Sequence, residues 1–139
     1  MNLPKITLKA PLSGFEFDKA KDGWTLVENA ACSGNETLEL AEFLHAGENY
    51  VDGTTMVARA KAMGNPAGQL HAERLLRQQG EISAEWRDFY LVFPGTTWRR
   101  PDGGLYVPDL DWRGERWCLR WDWLGGRWDR YDRLVRFCK

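Results

Sequence analysis

Residues 115–132, ERWCLRWDWLGGRWDRYD, restrict what this chain can fold into more than any other stretch. Trp117, Leu119, Trp121 and Trp123 alternate with Cys118, Arg120 and Asp122. A period of two belongs to a strand with one covered face. Gly125-Gly126 is a turn signal, and Trp128, Arg130 and Tyr131 begin a return, so the stretch reads as a β-hairpin. The chain holds eight Trp in 139 residues. Each can bury about 150–250 Å², roughly 4–6 kcal/mol of gross transfer free energy at about 25 cal/mol per Å². Most of these rings are therefore expected to be core.

The length fits one domain spanning residues 1–139. The rest of the chain divides by periodicity. Residues 1–44 read mainly as strand. Ile6 and Leu8 alternate with Thr7, Phe15 and Phe17 flank Glu16, and Asp22-Gly23 turns the chain into a strand at 24–27. Residues 38–44 fit either element, and strand is favoured. Residues 53–79 read as a helical hairpin. Asp52 caps a first helix, with Val51 stapled onto Met56, and Gly64 ends it. Asn65 caps a second helix that starts at Pro66 and runs to about Gln79. Leu70 falls opposite that helix's apolar face and needs a second neighbour. Ser83 caps a short turn through Arg87. Residues 88–137 read as an antiparallel β-meander, in which Pro94-Gly95 bends one strand and Pro108 marks an edge or a bulge. The expected fold is α+β: that meander, with added amino-terminal strands, packed against the helical hairpin.

Net charge is −1, so nothing draws the whole molecule to nucleic acid or membrane. The charge is uneven. Residues 1–52 carry four Lys and nine acids, and ten of the eleven bases after residue 84 are Arg. Arg and Asp on neighbouring strands form cross-strand pairs. Three scattered Cys without a CxxC point to a reducing cytoplasm rather than to a disulfide framework. No leader and no membrane-spanning run is visible.

Chemical motifs are sparse. No Gly-x-Ser-x-Gly elbow, P-loop or Gly-x-Gly-x-x-Gly occurs. His71-Ala72-Glu73 resembles the first half of the zinc-dependent cytidine deaminase signature, but the Pro-Cys-x-x-Cys half is missing. His71 reads instead as a locally bonded residue on a helix face. Asp109 and Asp111 share a strand face and read as Arg-paired acids. Cys32-Ser33-Gly34 lacks an assignable basic partner for a reactive thiol. No metal and no cofactor is expected.

Three functions follow. The favoured one is a non-enzymatic protein that binds a protein or small-molecule ligand through an aromatic and Arg surface at Trp98, Arg99, Arg100 and Trp112. The alternative is DNA binding by residues 53–79 as a helix-turn-helix. Ala60, Gly64 and Leu70 match that spacing, and Arg59, Lys61, Gln69, Arg74 and Arg77 would be the contacts. The third is a small hydrolase or lyase using His71 with Glu73. A homodimer at the Pro108 edge or at Leu70 is a further expectation.

The segments FYLVFPGTTW (89–98), YVP (106–108) and RLVR (133–136) resemble small bacterial proteins of unassigned activity, some carried on mobile gene cassettes. The resemblance spans about residues 53–136. It implies no activity and carries over no functional residue.

Overall fold

The computed structural model describes residues 3–9 and 14–138. The stretch read above for a leader falls partly outside them. The described residues form an α+β fold with ten strands and two α-helices. The strands are β1 (Ile6–Thr7), β2 (Thr25–Glu28), β3 (Thr37–Ala41), β4 (Tyr50–Asp52), β5 (Tyr90–Val92), β6 (Thr97–Arg99), β7 (Leu105–Trp112), β8 (Trp117–Trp123), β9 (Arg127–Asp129) and β10 (Asp132–Cys138). The helices are α1 (Gly53–Met63) and α2 (Gln69–Arg77). The main sheet runs β1-β3-β10-β5-β7-β6-β2, with β8 also paired to β7. Its pairs are antiparallel except β10 with β5.

The sheet is broken at one place, and proline is the cause. β5 and β6 both pair with β7, through Leu91 with Leu110 and Trp98 with Tyr106. Phe93 N–H donates to the Pro108 carbonyl, so the Pro108 nitrogen faces the same edge. It has no hydrogen to offer there. The chain leaves the ladder at Pro94-Gly95 and rejoins it at Thr97. Pro108 thus marks a bulge in its neighbour, not an edge.

Residues 65–67 fill the gap. Ala67 N–H donates to Val135 O, Phe137 N–H to Asn65 O, and Gly95 N–H to Ala67 O. A Cβ on Gly95 would lie 2.3 Å from the Pro66 carbonyl oxygen, which is why a glycine stands at this crossing. Asn65 takes a left-handed φ of 52° to enter it. The second helix therefore does not begin at Pro66. Its amides are claimed by the sheet, and α2 starts at Gln69 with Gly68 as N-cap.

This passage through the sheet separates the helices. Along β7, Leu110 packs in one core and Val107 in the other. The Leu110 core holds Leu70, Ala72 and Leu75 of α2, with Trp86, Leu38 and Trp117. The Val107 core holds Met56 and Ala60 of α1, with Val51, Trp128 and Leu134. The helices therefore cover opposite faces and do not pack together as a hairpin. The N-terminus of α1 is as expected: the Asp52 side chain accepts from Thr55 N–H at 2.7 Å, and Val51 and Met56 share a core. Leu70 is buried, so it is not left waiting for a partner copy.

The tryptophan stretch is also rearranged. β8 is a strand, but it pairs with β7, from Tyr106–Trp123 to Trp112–Trp117. After the turn, β9 does not return along it. β9 pairs with β4 in a separate two-stranded sheet, Val51 opposite Trp128. Leu124 redirects the chain, donating its N–H to Leu105 O and accepting from Gly53 N–H. Trp128 is then buried against α1, which a hairpin return would leave outside.

Candidate functional site

The four residues expected to form an aromatic and Arg surface do not share one. Trp98 is 1% exposed, and its Nε1 donates to Gln69 Oε1 at 2.7 Å. Arg99 is exposed. Arg100 donates to the Tyr106 hydroxyl at 2.7 Å and to Asp102 at 2.6 Å. Trp112 is half-buried, edge-on to Trp117, with the Arg87 guanidinium 3.9 Å above its ring. Trp98 lies opposite Tyr106, six residues along β7 from Trp112, or about 20 Å at strand rise. Trp98 belongs to the interior, where its indole is hydrogen-bonded to Gln69 of α2 and its ring lies 5.4 Å from that of Phe15.

The five expected nucleic-acid contacts are likewise dispersed. Arg59 on α1 is held by Glu48 at 2.6 and 3.0 Å, and Lys61 by Glu28 at 2.7 Å. Arg77 on α2 lies 3.5 Å from Glu16, on the other side of the sheet. Gln69 is fully buried. Arg74 sits on α2, its Nε buried without a hydrogen-bond partner. The pairing of helices that a helix-turn-helix needs is absent.

Gln69 and Glu73 form a closed polar network instead. Gln69 Oε1 accepts from Trp98 Nε1 and, at 3.0 Å, from Trp121 Nε1. Its Nε2 donates to Phe17 O at 2.7 Å and to Glu73 Oε2 at 3.0 Å. Glu73 also accepts the amides of Glu16 and Phe17, each at 2.9 Å. Both groups are fully buried. Buried polar groups hold a structure in register when every partner is present. Glu73 is therefore spent on fixing residues 16–17. It points away from His71, so the expected His71 and Glu73 couple does not form.

The partners of His71 lie at the N-cap of α2, in the loop before β3 and on β10. Its Nδ1 accepts the Gly68 amide hydrogen at 3.0 Å, which ties the N-cap of α2 to its first turn. Nε2 sits 3.4 Å from Glu36 Oε1, short of a well-formed hydrogen bond. Both side chains are at most 1% exposed. The Glu36 carboxylate accepts Ser33 N–H at 2.5 Å. Burial holds the imidazole pKa below its ordinary value, against the opposing pull of Glu36. The ring lies nearly parallel to Phe137, centroids 4.8 Å apart.

Cys32, Glu36 and His71 place one ligand atom each within 4.8 Å of one another, all buried. The types suit a zinc-class ion. The tautomer does not. The Gly68 amide hydrogen points at Nδ1, so the ring hydrogen sits on Nε2, the nitrogen a metal would need bare. Metal ligation there and the α2 cap exclude each other. For the same reason His71 cannot take up a proton at Nδ1. Glu36 also supplies Cys32 with negative charge, the reverse of what activates a thiolate.

Above this cluster lies an open pocket of about 600 Å³. It is lined by 28–31, Ser33, Glu36, Asn65, Pro66, Gly95 and Phe137. These come from three loops that meet where the sheet is broken, the kind of place where a rigid scaffold presents a site. No Lys or Arg is among the described lining residues. The sequence reading missed Glu36. It stands three residues after Ser33, which was noted, but 35 residues from the His71 it faces.

The opposite face of the sheet carries an acidic cluster. Arg120 donates to Asp109 at 3.1 and 3.3 Å and to Asp122 at 3.1 Å, and lies 3.7 Å from Asp111. Asp109 and Asp111 are thus Arg-paired acids, as expected. Nearby Asp132 is pushed up to about 6 by burial, with Asp129 and Asp122 adding to the shift. Its folded pKa lies above its unfolded one, so its ionisation weakens the fold. That cost is absent below about pH 4, grows as pH rises, and is complete above about pH 6. Asn at this position keeps an acceptor for the Asp129 amide, which now donates to Oδ2 at 3.0 Å. Asp132→Asn is expected to stabilise by about 1–2 kcal/mol at pH 8 and to change little at pH 4. Urea denaturation at the two pH values checks this, and an equal gain at both contradicts it.

Among the described residues no helix is long and apolar enough to cross a membrane. No protein-family model matches the chain, and neither the curated proteins nor the solved structures contain a match.

Proposed function

We propose that this protein binds a small ligand, without turning it over, in the pocket above Glu36. The observation that carries the reading is a cavity of about 600 Å³ where three loops meet β10, with Glu36, itself 1% exposed, among its lining residues. That volume lies within the range of small-molecule sites, about 300–1,000 Å³. The wall joins apolar surface from Ala30, Ala31, Pro66 and Phe137 to the polar residues Glu28, Asn29, Ser33, Glu36 and Asn65. The absence of turnover is supported by the state of the titratable groups. His71 is locked by the Gly68 amide, and Glu73 is fully engaged elsewhere. The binding role expected from sequence is kept, and its place moves from the Trp98 region to the break in the sheet.

Ala31 is exposed on the pocket wall, so a large side chain there fills the pocket without disturbing a core. A small-molecule library screened by thermal shift is expected to give ligands that stabilise the natural protein and fail to stabilise Ala31→Trp. Ligands that stabilise both equally would place binding elsewhere and end the proposal.

A further inference from the structure

We infer that the ligand of this pocket is an organic cation, an ammonium or amidinium group joined to an apolar body, with Glu36 as its anchor. The inference rests on the pocket reading above and adds the ligand's chemical class. Two carboxylates line the pocket, Glu28 at the rim and Glu36 at the floor, and among the described residues no Lys or Arg lines it. Lys61 meets Glu28 at 2.7 Å, so the rim acid is neutralised. Among the described residues no Lys or Arg pairs with Glu36. It is held by the Ser33 amide and faces His71, whose Nδ1 is occupied by the Gly68 amide.

The other ligand classes fit worse. An anion would gain from the N-terminus of α2, but two of the amides there are engaged: Gly68 donates to His71, and Gln69 donates to Thr96 Oγ1 at 2.8 Å. Glu36 would repel it as well. A zinc-class ion would need the Nε2 lone pair that the tautomer denies it. A cationic head on Glu36 with an apolar body against Phe137 satisfies both halves of the wall. A charged hydrogen bond in a partly desolvated site contributes about 1.5–3 kcal/mol, enough to discriminate by about tenfold or more.

Three probes of one shape test this: phenethylammonium, 2-phenylethanol and 3-phenylpropanoate, titrated by calorimetry into the natural protein, Glu36→Gln and Ala31→Trp. The expected result is that phenethylammonium binds the natural protein at least about tenfold more tightly than either other probe. Glu36→Gln is expected to remove that preference, and Ala31→Trp to abolish binding. Gln retains an acceptor for Ser33, and circular dichroism checks that the variant is folded. Should it unfold, the order of the three probes on the natural protein decides alone. If the alcohol or the carboxylate binds as well as the amine, and Ala31→Trp still blocks it, the cation inference falls and the pocket reading survives. If amine binding persists in Ala31→Trp, the pocket reading falls with it. If no probe binds the natural protein up to about 10 mM, the cation inference is overturned, and the library screen judges the pocket separately.

Discussion

Trp98→Ala is expected to lower the unfolding free energy by about 4–5 kcal/mol, the upper part of the range for an aromatic side chain deleted from a core. Trp98 is 1% exposed and sits between β7 and α2, with Phe15 5.4 Å from its ring. Alanine leaves a cavity that the flanking strands cannot close, because β6 is tied on both sides, to β7 and to β2. It also strips Gln69 Oε1 of its shorter hydrogen bond. Trp98→Phe keeps most of the apolar volume and loses the indole donor, so a cost of about 1–3 kcal/mol is expected. Trp112→Ala is the control. That ring is half-buried, and its removal is expected to cost less than half as much as that of Trp98. Chemical denaturation with a common m-value measures all three. A Trp98→Ala protein as stable as the natural one would mean that this indole is displayed rather than packed.

Gln69→Leu is the second large effect, at about 3–4 kcal/mol. The substitution keeps the volume and removes four hydrogen bonds at once, to Trp98, Trp121, Phe17 and Glu73. Each buried group left unsatisfied costs about 1–3 kcal/mol. Some relief is available. Glu73 retains the amides of Glu16 and Phe17, and Trp121 is only partly buried. The Trp98 indole has no such escape. Because Gln69 holds Phe17, the loss also loosens residues 14–18, which faster amide exchange at Phe17 would report. A loss below about 1 kcal/mol would show that the network is incidental to the fold.

Local pattern carried much of this architecture and failed where distant segments compete. The Asp52 cap, the Gly64 stop and the β8 strand are decided within a few residues and are found where the sequence puts them, although burial along β8 does not alternate and Trp123 is 56% exposed. The strand at 37–41 and the Ser83 turn also follow from local chemistry. The start of α2 does not. Asn65-Pro66 is a sound helix start by itself, and it is overruled because the Pro108 bulge opens a gap that only an extended segment can fill. That one event places the helices on opposite faces, which dissolves the helical hairpin and the nucleic-acid surface built on it. The return after Gly125-Gly126 fails in the same way. β9 pairs with β4, which sets Trp128 in the core beside Val51 and leaves β8 paired with β7 alone.

The site was the least legible part. His71 reads as a locally bonded helix residue, and its Gly68 contact bears that out. Glu36 is an ordinary loop acid until the fold sets it against His71 and beneath an open pocket. Neither spacing nor periodicity encodes that meeting, since it depends on the chain crossing the sheet at residues 65–67. Most of the eight Trp are expected in the core, but only four are buried, Trp86, Trp98, Trp117 and Trp128, while Trp24, Trp112 and Trp121 are half-buried and Trp123 is exposed.

The most direct test of the central claim is a two-dimensional amide and indole NMR map recorded while phenethylammonium is added. The account predicts saturable shifts confined to the amides of 28–36, Asn65, Gly95 and Phe137, with the Trp98 indole unmoved except by small relayed changes. Shifts centred on Arg99, Arg100 and Trp112, with the loop amides silent, would contradict it.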